Sequence, residues 1–220
     1  MAFHLIDLEH WERREIYAHF INEVRCTYAA TVRMDVTGLK GQWLYPAMLW
    51  LLTQTVNQMP EFRTSHTEAG LGVYDEMHPA YTVLNRENRN FSVVWTECGH
   101  DYGTFLRAYE ADTAAFAALV QFAAKPDRPA NTFDISMIPW FSFTAFDIHV
   151  FDEGRYLLPV FTMGKSLEEN GRRLLPLAIQ VHHAVCDGYH VGRFIQALQD
   201  RIDAFAPPPG ESGAQGHGPF

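Results

Sequence analysis

Tyr28, Ala30, Val32, Met34 and Val36 fall on alternate positions, with Thr27, Thr31, Arg33 and Asp35 on the other face. A period of two predicts a half-buried strand. Ahead of it, Tyr17, Phe20, Ile21 and Val24 recur at helical spacing, with Asp7 upstream as a capping residue. Gly38 and Gly41 mark a turn. Pro46 stands where a helix would start, and Leu49, Leu52, Val56 and Met59 form its buried stripe until Pro60 stops it. Strands are predicted near 71–74, 81–84 and 91–95, then a helix from Asp101 to Ala124 that ends before Pro126 and Pro129. Further strands are predicted near 142–150, 159–162 and 174–182. Val191, Phe194, Ile195, Leu198 and Ile202 line one side of a last helix. Helices and strands interleaved this irregularly predict an α/β (α+β) sandwich around one mixed sheet.

The 220 residues suit a single domain over 1–205, followed by a Pro/Gly-rich tail over 206–220 that begins with Pro207-Pro208-Pro209 and is expected to be mobile. Seventeen basic against 26 acidic residues give a net charge of −9, which argues against a nucleic-acid partner tracked through its phosphates. No apolar run reaches the 18 residues of a membrane span. The opening residues Met1 to Asp7 lack the basic segment and apolar stretch of a signal peptide. Cys26, Cys98 and Cys186 are odd in number and far apart, so neither a disulfide framework nor a zinc pattern is expected. A reduced, cytoplasmic protein without metal is the expectation.

One segment stands apart. An apolar run from Leu174 to Val181 delivers His182 and His183, and the turn Ala184-Val185-Cys186-Asp187-Gly188 then opens the last helix. Imidazole accepts a proton near neutral pH without large tuning of its pKa, so a histidine at a rigid strand end suits general-base chemistry. The plainer readings stand beside this one. Asp187 has the residue type and place of a helix cap. Strand alternation sends His182 and His183 to opposite faces, so at most one enters a given site and the two do not share a metal ion.

The run His182-His183-Ala184-Val185-Cys186-Asp187-Gly188-Tyr189-His190 resembles the active-site signature of the chloramphenicol acetyltransferases. These belong to a wider group of CoA-dependent acyltransferases with His-x-x-x-Asp-Gly. The resemblance extends over most of the chain. It includes Trp11-Glu12-Arg13-Arg14-Glu15, Tyr45-Pro46, Glu61-Phe62-Arg63, Tyr81-Thr82-Val83, Pro139-Trp140, Phe161-Thr162-Met163-Gly164-Lys165 and Leu175-Pro176-Leu177. It implies a two-layer sandwich with helices packed on one face of the mixed sheet, and direct transfer of acetyl from acetyl-CoA to a chloramphenicol hydroxyl, an antibiotic-inactivating reaction. It also implies a homotrimer with sites at subunit boundaries. His183 takes the part of the general base, with its other ring nitrogen donating to its own backbone carbonyl. Asp187 and Arg13 are implied as the pair that fixes its turn, and Thr162 as the holder of an ordered water. Phe20, Cys26, Tyr28, Thr82, Phe91 and Val93 are implied to line the acceptor pocket, although each reads equally as core, and without the resemblance core is the better reading for all but Thr82. Lys165 is implied to face the CoA phosphates.

The chain departs from that pattern at three places. Ala145 stands where the family has a serine that stabilises the oxyanion; in a regular strand over 142–150, Ser142 and Thr144 would face the other way. Phe20 replaces a tyrosine, and Trp43 a second CoA-facing lysine. These departures bear on acceptor choice and efficiency, and they keep two alternatives open: another small apolar alcohol as acceptor, or a ligand-binding homologue of low activity.

Overall fold

The computed structural model describes residues 2–85, 87–119, 121–150 and 152–206; the expected mobile tail lies almost wholly outside them. In chain order the elements are β1 (Phe3–Leu5), α1 (Arg14–Ala18), β2 (Thr27–Asp35), α2 (Leu44–Val56), β3 (Thr64–Thr67), β4 (Gly70–Tyr74), β5 (His78–Leu84), β6 (Phe91–Trp95), α3 (Tyr102–Phe116), β7 (Thr132–Met137), β8 (Val160–Met163), β9 (Leu167–Glu169), β10 (Arg172–His182) and α4 (Gly188–Asp203). Seven strands form a mixed sheet in the order β2-β10-β8-β7-β5-β6, with β9 also paired to β10. The β5–β7 and β7–β8 pairs are parallel and the others antiparallel.

The helices α2, α3 and α4 cover one face of this sheet, as the sandwich reading anticipates. Phe161 of β8, level with Ile179 of β10, stacks on Phe194 of α4 at 5.3 Å, and Phe194 stacks on Phe62 at 4.5 Å. The helix α2 is buried on nearly all sides rather than along one stripe: Trp50 is the only one of residues 45–56 that is not buried. It starts at Leu44, so Pro46 sits within its first turn, where no intrahelical N–H bond is lost.

Several predicted elements shift. The opening helix breaks into α1 and a wider turn over His19–Glu23. Asp7 caps no helix; its carboxylate accepts from Glu9 N in a local turn. The helix predicted to reach Ala124 ends at Phe116, and just past its end the Asn85 and Ser92 side chains take the carbonyls of Ala118 and Leu119. The chain then turns back along the edge of β6, with Val93 bonded to Phe122 and Ala124. Residues 142–150, predicted as a strand, are irregular. Their backbone N–H groups bond to side chains instead of a ladder, Phe146 N to Thr31 Oγ1 and Ile148 N to Gln180 Oε1. The strand β7, which lies parallel between β5 and β8, is not among the predicted strands, because its apolar and polar residues alternate only briefly.

A second sheet, β1-β4-β3, is antiparallel and small. The β1 backbone passes so close to β4 that a Cβ on Gly72 would lie 2.5 Å from the His4 carbonyl oxygen. This sheet braces α1, since Tyr17 shares a 3.0 Å hydrogen bond with His66 of β3 and packs against Trp11. The orientation of Arg13 follows from that brace.

Candidate active site

The ladder of β10 against β2 runs to the pair His182–Thr27, and the chain then leaves the sheet. His183 N donates to Cys26 O at 2.9 Å, which closes the strand end. The two histidines part company here. His182 is buried, its Nδ1 accepting from Ala184 N at 3.1 Å and its Nε2 therefore donating to Gly154 O at 3.0 Å. Burial pushes its pKa below the ordinary histidine value, partly opposed by the Gly154 bond. Gly154 has φ of 71°, a left-handed conformation that favours glycine, and a Cβ there would strike Arg25. His183 is half-buried and points elsewhere, stacked on Phe20 at 4.2 Å and 9° and tilted against Tyr28 at 5.3 Å.

Arg13 ties the turn together. Its Nη2 donates to His183 O at 3.0 Å, its Nε to Ala184 O at 2.8 Å and its Nη1 to Asp187 Oδ2 at 2.9 Å. A planar guanidinium is the one side chain with enough fixed donors for three such partners. Asp187 fills both roles that its sequence left open. Oδ2 pairs with Arg13, while Oδ1 accepts from Tyr189 N and caps α4. Burial alone would raise the Asp187 pKa, but the Arg13 hydrogen bond, His190 and the Tyr189 N–H outweigh it and hold the carboxyl below its ordinary value. His190 completes a capping box, with Nδ1 accepting from Asp187 N at 3.1 Å. The sequence reading passed over this residue, although its place three positions after the cap is the signal for it.

The resemblance places a hydrogen bond from His183 to its own carbonyl, and the structure differs. His183 Nδ1 is buried with no hydrogen-bond partner, and the carbonyl is taken by Arg13. The Tyr28 hydroxyl is likewise buried without a partner, and burial holds it protonated far above the usual phenol range. Cys186, in the same turn, is buried, and that burial raises its thiol pKa and disfavours the thiolate.

The remaining expected site residues do not gather around this imidazole. Phe20, Cys26 and Tyr28 lie beside it. Thr82 pairs with Val93, and Phe91 with Leu84, on β5 and β6 at the other side of the sheet. Thr162 pairs with Ser136 and Ala178 and shares a 3.0 Å hydrogen bond with the Ser136 hydroxyl. Ala178 is five residues before His183, roughly 17 Å along an extended strand. Lys165 follows Gly164, which bonds to Pro176, about 23 Å of strand from His183; its own N donates to Phe141 O. Ala145 is exposed on the irregular 141–150 segment, so alternation along a strand does not govern what Ser142 and Thr144 face. One chain therefore holds the two groups apart: an imidazole on its clamped turn, and Thr82, Ser136 and Thr162 in a row across β5, β7 and β8.

A sequence model of the family described as chloramphenicol acetyltransferase matches residues 1–199. The chain belongs to the chloramphenicol acetyltransferase family. Among relatives of that name, one from Campylobacter coli is 47% identical over 206 residues, covering 92% of this chain and 100% of the relative. One from Clostridium perfringens is 45% identical over 207 residues, covering 93% and 100%. A solved structure titled chloramphenicol acetyltransferase superposes with a TM-score of 0.84 at 22% identity, covering 91% of this chain and all of the other. Membership of this acetyltransferase family makes the protein an acyltransferase, and the likeness of fold accounts for the mixed sheet with its helical layer.

Proposed function

We propose that this acetyltransferase moves the acetyl group of acetyl-CoA to the primary-side hydroxyl of chloramphenicol, the 3-position, and so inactivates the antibiotic. The observation that carries the reading is the Arg13 clamp, which holds the His183 and Ala184 carbonyls and Asp187 at once. It presents the imidazole on a turn with little freedom. With Nδ1 buried, the proton of the acceptor hydroxyl passes to Nε2, and a positioned base of this kind gives roughly 10²–10⁴-fold in rate. Acetyl-CoA supplies the activated acyl carbon; Lys165 would meet its phosphates, a local positive charge on an acidic chain.

The separation of the two groups supports a trimer in which His183 of one copy faces Thr82, Phe91, Val93 and Thr162 of the next. The open sheet face and its covering segment expose Phe91, Trp140, Phe141 and Ile148, apolar surface that a second copy would bury. Three free cysteines fit the reducing cytoplasm, and no helix among the described residues is long and apolar enough to cross a membrane.

Release of free thiol from acetyl-CoA, followed with and without chloramphenicol and with other small apolar alcohols, tests the reading. Chloramphenicol-dependent release that disappears in His183→Ala is the expected result. Release that persists in His183→Ala removes the base from the proposal, and release only with other alcohols moves the acceptor.

A further inference from the structure

Behind the clamped turn lies a cleft of about 540 Å³ whose lining includes Trp11, Arg13, Glu61, Val185 and His190. Two of these, Glu61 and His190, have no part in the reaction as proposed above, yet they meet the catalytic turn at Asp187. His190 Nδ1 accepts from Asp187 N at 3.1 Å and also lies 2.9 Å from Asp187 Oδ1. Its Nε2 points to Glu61 Oε1 at 3.5 Å. Both side chains are mostly covered, at 15% and 25% exposure, so a surface encounter does not explain the contact.

We propose that Glu61 and His190 are positioning residues for acetyl transfer, which hold the Asp187 turn through its backbone N–H as Arg13 holds it through its carbonyls and carboxylate. The contacts form one chain of alternating charge and hydrogen bonds: Glu61, His190, Asp187, Arg13, and finally the carbonyl of His183. A capping box ordinarily uses a glutamate or glutamine at the third helical position to reach back to the cap N–H. A histidine does the same through Nδ1 and has a second nitrogen left over, which Glu61 orients. The ring holds the turn in either protonation state. Neutral, it accepts the Asp187 N–H; with a proton on Nδ1, it donates to Asp187 Oδ1 instead. Arg13 alone fixes the carbonyls and one carboxylate oxygen, whereas the Asp187 backbone N–H, which sets where the turn meets α4, is held by His190.

The claim rests on the activity proposed above, so two readouts are taken on the full-length protein. The first is steady-state acetylation of chloramphenicol; the second is amide hydrogen exchange of the 182–188 segment, which needs no activity. In His190→Ala, kcat falls at least tenfold while KM for acetyl-CoA and for chloramphenicol stays within twofold, and exchange of the segment accelerates. His190→Gln, whose amide can accept from Asp187 N and donate to Glu61, restores both, and Glu61→Ala gives a smaller loss of the same pattern. Wild-type exchange at 182–188 in His190→Ala overturns the proposal, as does equal damage in His190→Gln and His190→Ala. Faster exchange across every segment reduces the pair to a general stability role and also overturns it. If the wild-type protein acetylates nothing, the functional reading fails and the exchange data alone decide whether the pair holds the turn.

Discussion

The Phe20 ring lies parallel on the His183 imidazole, 4.2 Å between centroids and 9° between planes. Stacking fixes the ring plane, while Arg13 fixes the backbone that carries it. The first sets the direction in which Nε2 points and the second sets where the ring stands, so the base is constrained about both its backbone and its χ angles. Misplacement of a reacting group by about 1 Å can cost roughly 10²-fold in rate. Phe20→Ala is therefore expected to lower kcat by tenfold or more, and Phe20→Tyr, which keeps the stack, to stay near wild type. Steady-state kinetics on both variants check this.

Arg13→Ala removes three hydrogen bonds at once and leaves Asp187 with its cap bonds and His190 only. A hydrogen bond to a charged group contributes about 1.5–3 kcal/mol, and this pair is only partly shielded from water, at 12% and 31% exposure. A stability loss of about 2 kcal/mol in denaturant unfolding is expected, with a fall in kcat too large for that loss to explain. Arg13→Lys, which brings a single point charge, should recover stability more than rate.

His182, His66 and His78 all have pKa values lowered from 6.5, each chiefly by burial. Arg155 adds to the effect at His66, and Glu76 and Glu97 oppose it at His78. In each case the unfolded chain binds protons more readily than the native one. Their contribution to stability is complete above pH 6.5 and is lost as the pH falls below that value toward the lowered native ones. Asp187, with a native pKa below 3.8, adds a second loss in the carboxylate range. Thermal midpoints measured against pH should decline in two stages on acidification. His182→Gln, with no proton to gain, should flatten the first.

Ala145 offers no hydroxyl for a developing oxyanion, and one such donor typically contributes about 10²–10³ in rate. Ala145→Ser is expected to raise turnover of chloramphenicol with little change in melting temperature. An unchanged rate would mean that another group, Thr162 or a water beside it, already fills that part.

The proposed trimer, with its site shared between chains, predicts complementation. Thr82→Trp fills the polar row of the sheet face, and His183→Ala removes the base; each alone should be inactive. Co-expressed, they regain activity when an intact row meets an intact imidazole, roughly a quarter of sites for a random trimer. A mixture that stays inactive while forming trimers would place the whole site within one chain.

The signature around His183 was legible from residue order because its chemistry is local. Asp187 caps α4 five residues after β10 ends at His182, and spacing expresses that. β2 likewise emerged from alternation and α4 from helical repeat, while β10, buried on both faces, emerged as a continuous apolar run. The failures have a common cause. Residues 142–150 are as apolar as a strand, yet Thr31 and Gln180 satisfy their backbone, and just past the end of the helix after Asp101 the carbonyls go to Asn85 and Ser92. Those partners lie dozens of residues away, and no local pattern encodes them. The sequence by itself determined which imidazole and which carboxylate stand at the end of β10. The resemblance already implied that Arg13 pairs with Asp187; only the tertiary structure decided that its guanidinium, 170 residues before His183, would also take the His183 and Ala184 carbonyls, and that Thr82 and Thr162 would lie too far along and across the sheet to reach the same chain's base. Strand register and sheet order set those distances, and both are settled by long-range pairing.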